Sequence, residues 1–108
     1  MERIMRHIGS FQSARWGRVE VYAATYTSNN ALAIQLTDSD GEPLATLSVN
    51  MPGSENLPAN CFYMKDWSEN EELAEEAREC KLFKPRPDLP SSVSGFVMAD
   101  AYELVEGA

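Results

Sequence analysis

A chain of 108 residues, 44% hydrophobic and 24% charged, is long enough for one modest core and too short for two. Residues 1–108 are therefore read as a single globular domain, and wholesale disorder is excluded. The net charge of −8 repels phosphate, which disfavours direct nucleic-acid binding and anionic membrane surfaces.

The first eighteen residues run against that balance, with Arg3, Arg6, Arg15 and Arg18 opposed by Glu2 alone. Together with Trp16 they combine cations and an aromatic, as single-strand binders do. No apolar run approaches the roughly 20 residues that cross a bilayer, and Met1 to Gly9 lacks the apolar stretch of a secretory signal. The expected location is the cytoplasm. His7 is the sole histidine, so any Ser-His-Asp or Cys-His device must use it. No nucleophile stands in a G-x-S-x-G or comparable setting, and His7 is read as an ordinary strand or surface residue.

A strand is expected around Ile8 to Arg15, turning near Trp16-Gly17 into a second strand, Arg18 to Thr27. There Val19, Val21 and Ala23 share one face, while Tyr22 and Tyr26 lie on the other as candidate interface anchors. After the Ser28-Asn-Asn30 turn, Ala31 to Thr37 places Leu32, Ile34 and Leu36 on one face. Asp38-Ser-Asp-Gly41 reads as a hairpin turn, because Asp side chains bond their own backbone and glycine accepts positive φ. A calcium loop starting at Asp38 would need glycine sixth and glutamate twelfth, and those positions hold Pro43 and Val49. Leu44 to Asn50 is the next strand, residues 52–60 are a proline-punctuated loop, and Cys61 to Lys65 is a further short strand.

Ser68-Glu-Asn-Glu71 has the form of a capping box. It opens a helix to about Phe83, with Leu73, Ala74, Ala77 and Cys80 as the apolar stripe and Pro85 and Pro87 beyond its end. Gly95 to Leu104 reads as one last strand. The expected class is α+β, a mostly antiparallel sheet of five to six strands with one helix on one face, in the order β-β-β-β-β-α-β. Cys61 and Cys80 lack C-x-x-C spacing and are read as small buried or half-buried apolar side chains. No paired spacing of ligands implies a metal, and no glycine-rich phosphate loop implies a nucleotide cofactor.

Residues 19–80 hold twelve carboxylates against Lys65 and Arg78. Glu69, Glu72, Glu75, Glu76 and Glu79 cover the outer helix face, with like charges at i, i+4 in Glu72/Glu76 and Glu75/Glu79. Such pairs cost a few tenths of a kcal/mol each, a cost that function can retain and that a solvated face also tolerates. With Asp66 beside them, and Asp38, Asp40 and Glu42 as further candidates, these residues form the candidate partner-binding set. No catalytic residue is assigned.

The stretches Ala31-Leu-Ala-Ile-Gln-Leu36, Glu42-Pro-Leu-Ala-Thr-Leu-Ser-Val-Asn50 and Lys65-Asp-Trp-Ser-Glu-Asn-Glu-Glu-Leu-Ala-Glu-Glu-Ala77 resemble a family of short bacterial proteins of plasmids, integrated elements and prophages. The resemblance runs from about Arg15 to Val97, and Trp-Ser-Glu-Asn-Glu is its most specific part. It implies a setting in which small acidic proteins inhibit host defence by stoichiometric binding, as anti-CRISPR and anti-restriction proteins do. The expected partner is then a host protein or nucleoprotein complex with a basic surface, and the protein itself a monomer or homodimer. The alternative expectation is a nucleic-acid-binding accessory module that uses the N-terminal arginines.

Overall fold

The computed structural model describes residues 5–105. Strands β1 (Arg6–Ser13), β2 (Gly17–Thr25), β3 (Leu32–Thr37) and β4 (Pro43–Thr46) form an antiparallel meander in chain order. Its inner face follows from the alternation of the sequence. Val19 lies opposite Phe11, Val21 opposite Leu36 and Ala23 opposite Ile34, and all six are buried. Gly17 supplies the positive φ of the β1–β2 turn, at 72°. In the β3–β4 turn the Asp38 carboxylate accepts the amides of Asp40 and Glu42, both at 2.9 Å, as an Asx turn requires.

The expected strand from Leu44 to Asn50 is broken in two, because the chain leaves the first sheet at Leu47. The Leu47 amide donates to the Ile34 carbonyl (2.9 Å), and its own carbonyl accepts the Lys65 amide (2.7 Å) from the neighbouring sheet. At this corner the Ser48 hydroxyl substitutes for a missing ladder acceptor by taking the Ile34 amide at 2.9 Å. It also pairs with the Tyr26 hydroxyl at 2.9 Å. β5 (Ser48–Val49) then starts the second sheet, which continues through β6 (Cys61–Met64).

A 3₁₀ turn (Ser68–Asn70) leads into α1 (Glu71–Glu79). β7 (Phe83–Pro85), β8 (Ser92–Ser94), β9 (Val97–Ala99) and β10 (Ala101–Leu104) follow. The second sheet has the order β5-β6-β10-β7, and β8 with β9 forms a separate two-stranded hairpin. All strand pairs are antiparallel. The α+β class with a single helix therefore holds among the described residues. The strand number and order do not, since ten strands in three sheets replace one sheet of five to six.

Three further corrections concern local structure. The capping box does not form: Ser68 sits at φ 60°, and α1 has no side-chain cap bond. The helix ends at Glu79 rather than near Phe83, because Cys80 turns to an extended ψ of 165°. That turn delivers Phe83 into β7, where its ring meets Phe62 edge-on at 5.6 Å. The segment from Gly95 to Leu104 is two strands, and Gly95, at φ 61°, belongs to the turn that precedes them.

Leu73, Ala74 and Ala77 of α1 enter the main core with Val19, Ile34, Leu36, Leu47 and Phe62, and Cys80 packs against it. The helix lies against both β1 and β7, so the curled sheets present their two outer edges to it. A smaller cluster of Met51, Tyr63, Ala99 and Ala101, with Trp67 and Leu89 packed on it, seats the β8–β9 hairpin.

Candidate partner-binding face

The helix carboxylates emerge from α1 on the side opposite Leu73, Ala74 and Ala77, and the fold treats them unequally. Glu76 reaches the tip of the β1–β2 hairpin, where it accepts the Ala14 amide at 2.8 Å. Glu72 faces the Arg15 guanidinium of the same hairpin at 4.0 Å, with both side chains well exposed. Lys65, just past β6, donates to Glu69 at 2.7 Å. That bond, followed by one from Ser68, pulls the Glu69 carboxyl down to about 2. Arg78 lies 3.5 Å from Asp66. Among the described residues, Glu75 and Glu79 have no cationic partner.

Glu72, Glu75, Glu76 and Glu79 line one shallow depression with Ala14. Past Glu76 and Glu79 it continues along Phe11 to Ala14 and Cys80. Four of the six expected residues are thereby gathered at the junction of helix and hairpin. Glu69 lines an adjoining depression with Arg15, Trp16 and Glu72. Asp66 is set apart by its tie to Arg78. Asp38, Asp40 and Glu42 belong to the β3–β4 turn, and the Asp38 carboxylate is engaged there by backbone amides.

No family model, curated protein or solved structure matches this chain. The geometry alone therefore carries the reading of the site.

The N-terminal basic cluster is largely absorbed by neighbours. Arg18 donates to Glu20 at 2.7 Å, and the His7 ring shares the same carboxylate at 2.7 Å. Glu20 is held below its ordinary value chiefly by the His7 hydrogen bond, with Arg18 adding to it against the opposing effect of burial. Trp16 stands 45% exposed at the hairpin tip, with the Arg15 guanidinium 5.2 Å from its ring centre. Arg3 lies outside the described residues. The outer-face tyrosines are both half-buried: Tyr22 packs edge-on to His7, and Tyr26 is tied to Ser48.

Cys61 is buried and Cys80 half-buried, as their sequence setting suggested, and both are free. Burial pushes both thiols up, which disfavours the thiolate form. Among the described residues no group of three His, Cys, Asp or Glu side chains is placed to hold a metal ion. No helix there is long and apolar enough to cross a membrane.

Sequence reasoning missed one surface altogether, the β8–β9 hairpin. The signal was present in Val93-Ser-Gly-Phe-Val97, where a Gly-containing two-residue loop separates short apolar runs.

Proposed function

We propose that the protein acts by stoichiometric binding to a macromolecule with a basic surface, and that its target is a host nucleic-acid-handling defence complex of the CRISPR or restriction type. The target class follows from the resemblance to mobile-element proteins. The binding mode rests on one observation: Glu72, Glu75, Glu76 and Glu79 line a common depression, and among the described residues Glu75 and Glu79 have no cationic partner. At 1.5 Å of rise per residue, the seven steps from Glu72 to Glu79 cover about 10 Å with four carboxylates. That is one charge per about 3.5 Å, close to the roughly 3.4 Å per phosphate along one strand of a duplex. A channel lined with lysine and arginine to hold nucleic acid would meet a similar charge row here. Its own electrostatics would then favour association.

The test is affinity capture from nuclease-treated host lysate with the native chain and with E75K/E79K. The reading expects a stoichiometric partner held by the native chain and lost by the variant at unchanged thermal stability. Equal recovery by both proteins removes the helix as the site.

The alternative reading, a nucleic-acid-binding accessory module, draws support from exposed Trp16 with Arg15 over its ring. It expects affinity for DNA or RNA that falls steeply with salt. An absence of binding at low ionic strength removes it.

A further inference from the structure

The β8–β9 hairpin carries an apolar surface that the acidic face does not account for. Phe96 is fully exposed, at 110%, and Val93 and Met98 are 61% and 60% exposed. Val93 and Met98 are cross-strand partners, so they share one face of the hairpin. The other face turns inward through Ser92 and Ala99, which are both buried. The base is held firmly. Ser92 donates to the Pro52 carbonyl at 2.6 Å, Ser91 to Asp100 at 2.5 Å, and Tyr63 to the Pro90 carbonyl at 3.1 Å. Gly95 at φ 61° closes the tip, with no positive φ at Phe96, which is the type II′ pattern. A hairpin so anchored presents Phe96 as a fixed projection.

A receiving pocket lies at the foot of the same hairpin. Pro85, Pro87, Leu89, Ala101 and Tyr102 line one part of it and Arg86, Ser91 and Asp100 the rest, around about 250 Å³, room for one phenyl ring. We infer that the hairpin is a self-association surface, in which Phe96 of one copy seats in the Pro85–Pro87–Tyr102 pocket of a second copy and the exchange is reciprocal. The pocket adjoins the base of the hairpin that carries the projection, so one patch supplies both halves of an isologous twofold contact.

Charge does not oppose a second copy at this end, where the pocket's Arg86 and Asp100 are of opposite sign. Leu89 through Ala99 contains no charged residue in a chain of net charge −8, so two copies meet where their repulsion is least. The hairpin is also a two-stranded sheet on its own, with unpaired edges among the described residues, the feature through which copies of a chain pair. Three side chains of this size expose on the order of 400 Å² per copy. Counted over both copies a reciprocal contact then buries about 800 Å², in the range of weak, transient encounters, so the dimer is a reversible one. This inference stands independently of the acidic-face proposal.

Sedimentation equilibrium from low micromolar to several hundred micromolar protein tests it, with circular dichroism to check folding. The native chain is expected to move from monomer to dimer with concentration. F96S removes the projection and P87D spoils the pocket, and each is expected to weaken the dimer at least tenfold, as loss of a central anchor does. Both substitutions are on the surface and leave the core intact. A native chain that stays monomeric throughout overturns the inference. So does a dimer that survives F96S, or one that survives P87D.

Discussion

Single buried polar residues decide how tightly the two sheets are joined. Ser48 is the clearest case, because its hydroxyl is the acceptor for a buried strand amide, that of Ile34. Ser48→Ala strands that amide, and the expected loss is about 1–3 kcal/mol, read from urea denaturation with an unchanged m-value. Asn70 plays the same part on the helix side, where its side-chain amide donates to the Thr46 carbonyl at 2.7 Å. Glu69 sets a dependence on acid. Its folded value of about 2 lies below the roughly 4.3 of an unfolded glutamate. Its contribution is therefore complete above that unfolded value and is lost as pH falls through about 2. Glu69→Gln is expected to flatten the fall in melting temperature across that window, while an unchanged slope would show that the Lys65 contact is immaterial. None of these roles was legible in the sequence. Ser48 sits in an ordinary alternating run, and Ser68-Glu-Asn-Glu71 carries the outward form of a cap. Whether a serine caps depends on its φ, which the residue pattern alone does not specify.

At the scale of elements, the helix shows what local pattern does and does not determine. Its buried face, Leu73, Ala74 and Ala77, follows from spacing alone, because three apolar residues on one stripe leave no other orientation. Its end is not set by Pro85 and Pro87. The chain instead turns at Cys80, so that Phe83 reaches Phe62 and pairs beside Leu104, and tertiary packing overrides the favourable helix propensity of Lys81 and Leu82. The acidic face now divides into two functional groups. Glu76 anchors the β1–β2 hairpin through the Ala14 amide, so Glu76→Lys is expected to cost about 1–2 kcal/mol by loss of a charge-assisted bond. Among the described residues Glu75 and Glu79 hold no such bond. Reversing them relieves like-charge crowding and places cations near the helix C-terminus, so E75K/E79K is expected to be neutral or more stable by a few tenths of a kcal/mol. Calorimetry on the two variants separates the roles, and equal destabilisation by both would remove the distinction.

For the whole molecule, alternation announced most strands but could not announce their distribution between sheets. A switch of sheet leaves no mark on periodicity: Leu44 to Asn50 alternates straight through the corner at Leu47. The short strands β7 and β8 carry too few residues to show a period at all, and their pairing is supplied by partners distant in sequence. Because Leu47 bonds into both sheets, the two are expected to open together. Native-state hydrogen exchange should then give the Leu47 and Lys65 amides the same opening free energy as those of the β2 core, whereas earlier exchange in one sheet would mark it as a separate unit. The position of β10 has a consequence for synthesis. The meander β1 to β4 pairs between neighbours in sequence and can assemble as it leaves the ribosome. β6 and β7 instead share β10 between them, so the second sheet must wait until Leu104 has emerged. Until then the nascent chain carries Phe62 and Phe83 without the strand that joins them, and a message truncated before Ala101 yields a half-built, adhesive product for quality control to remove.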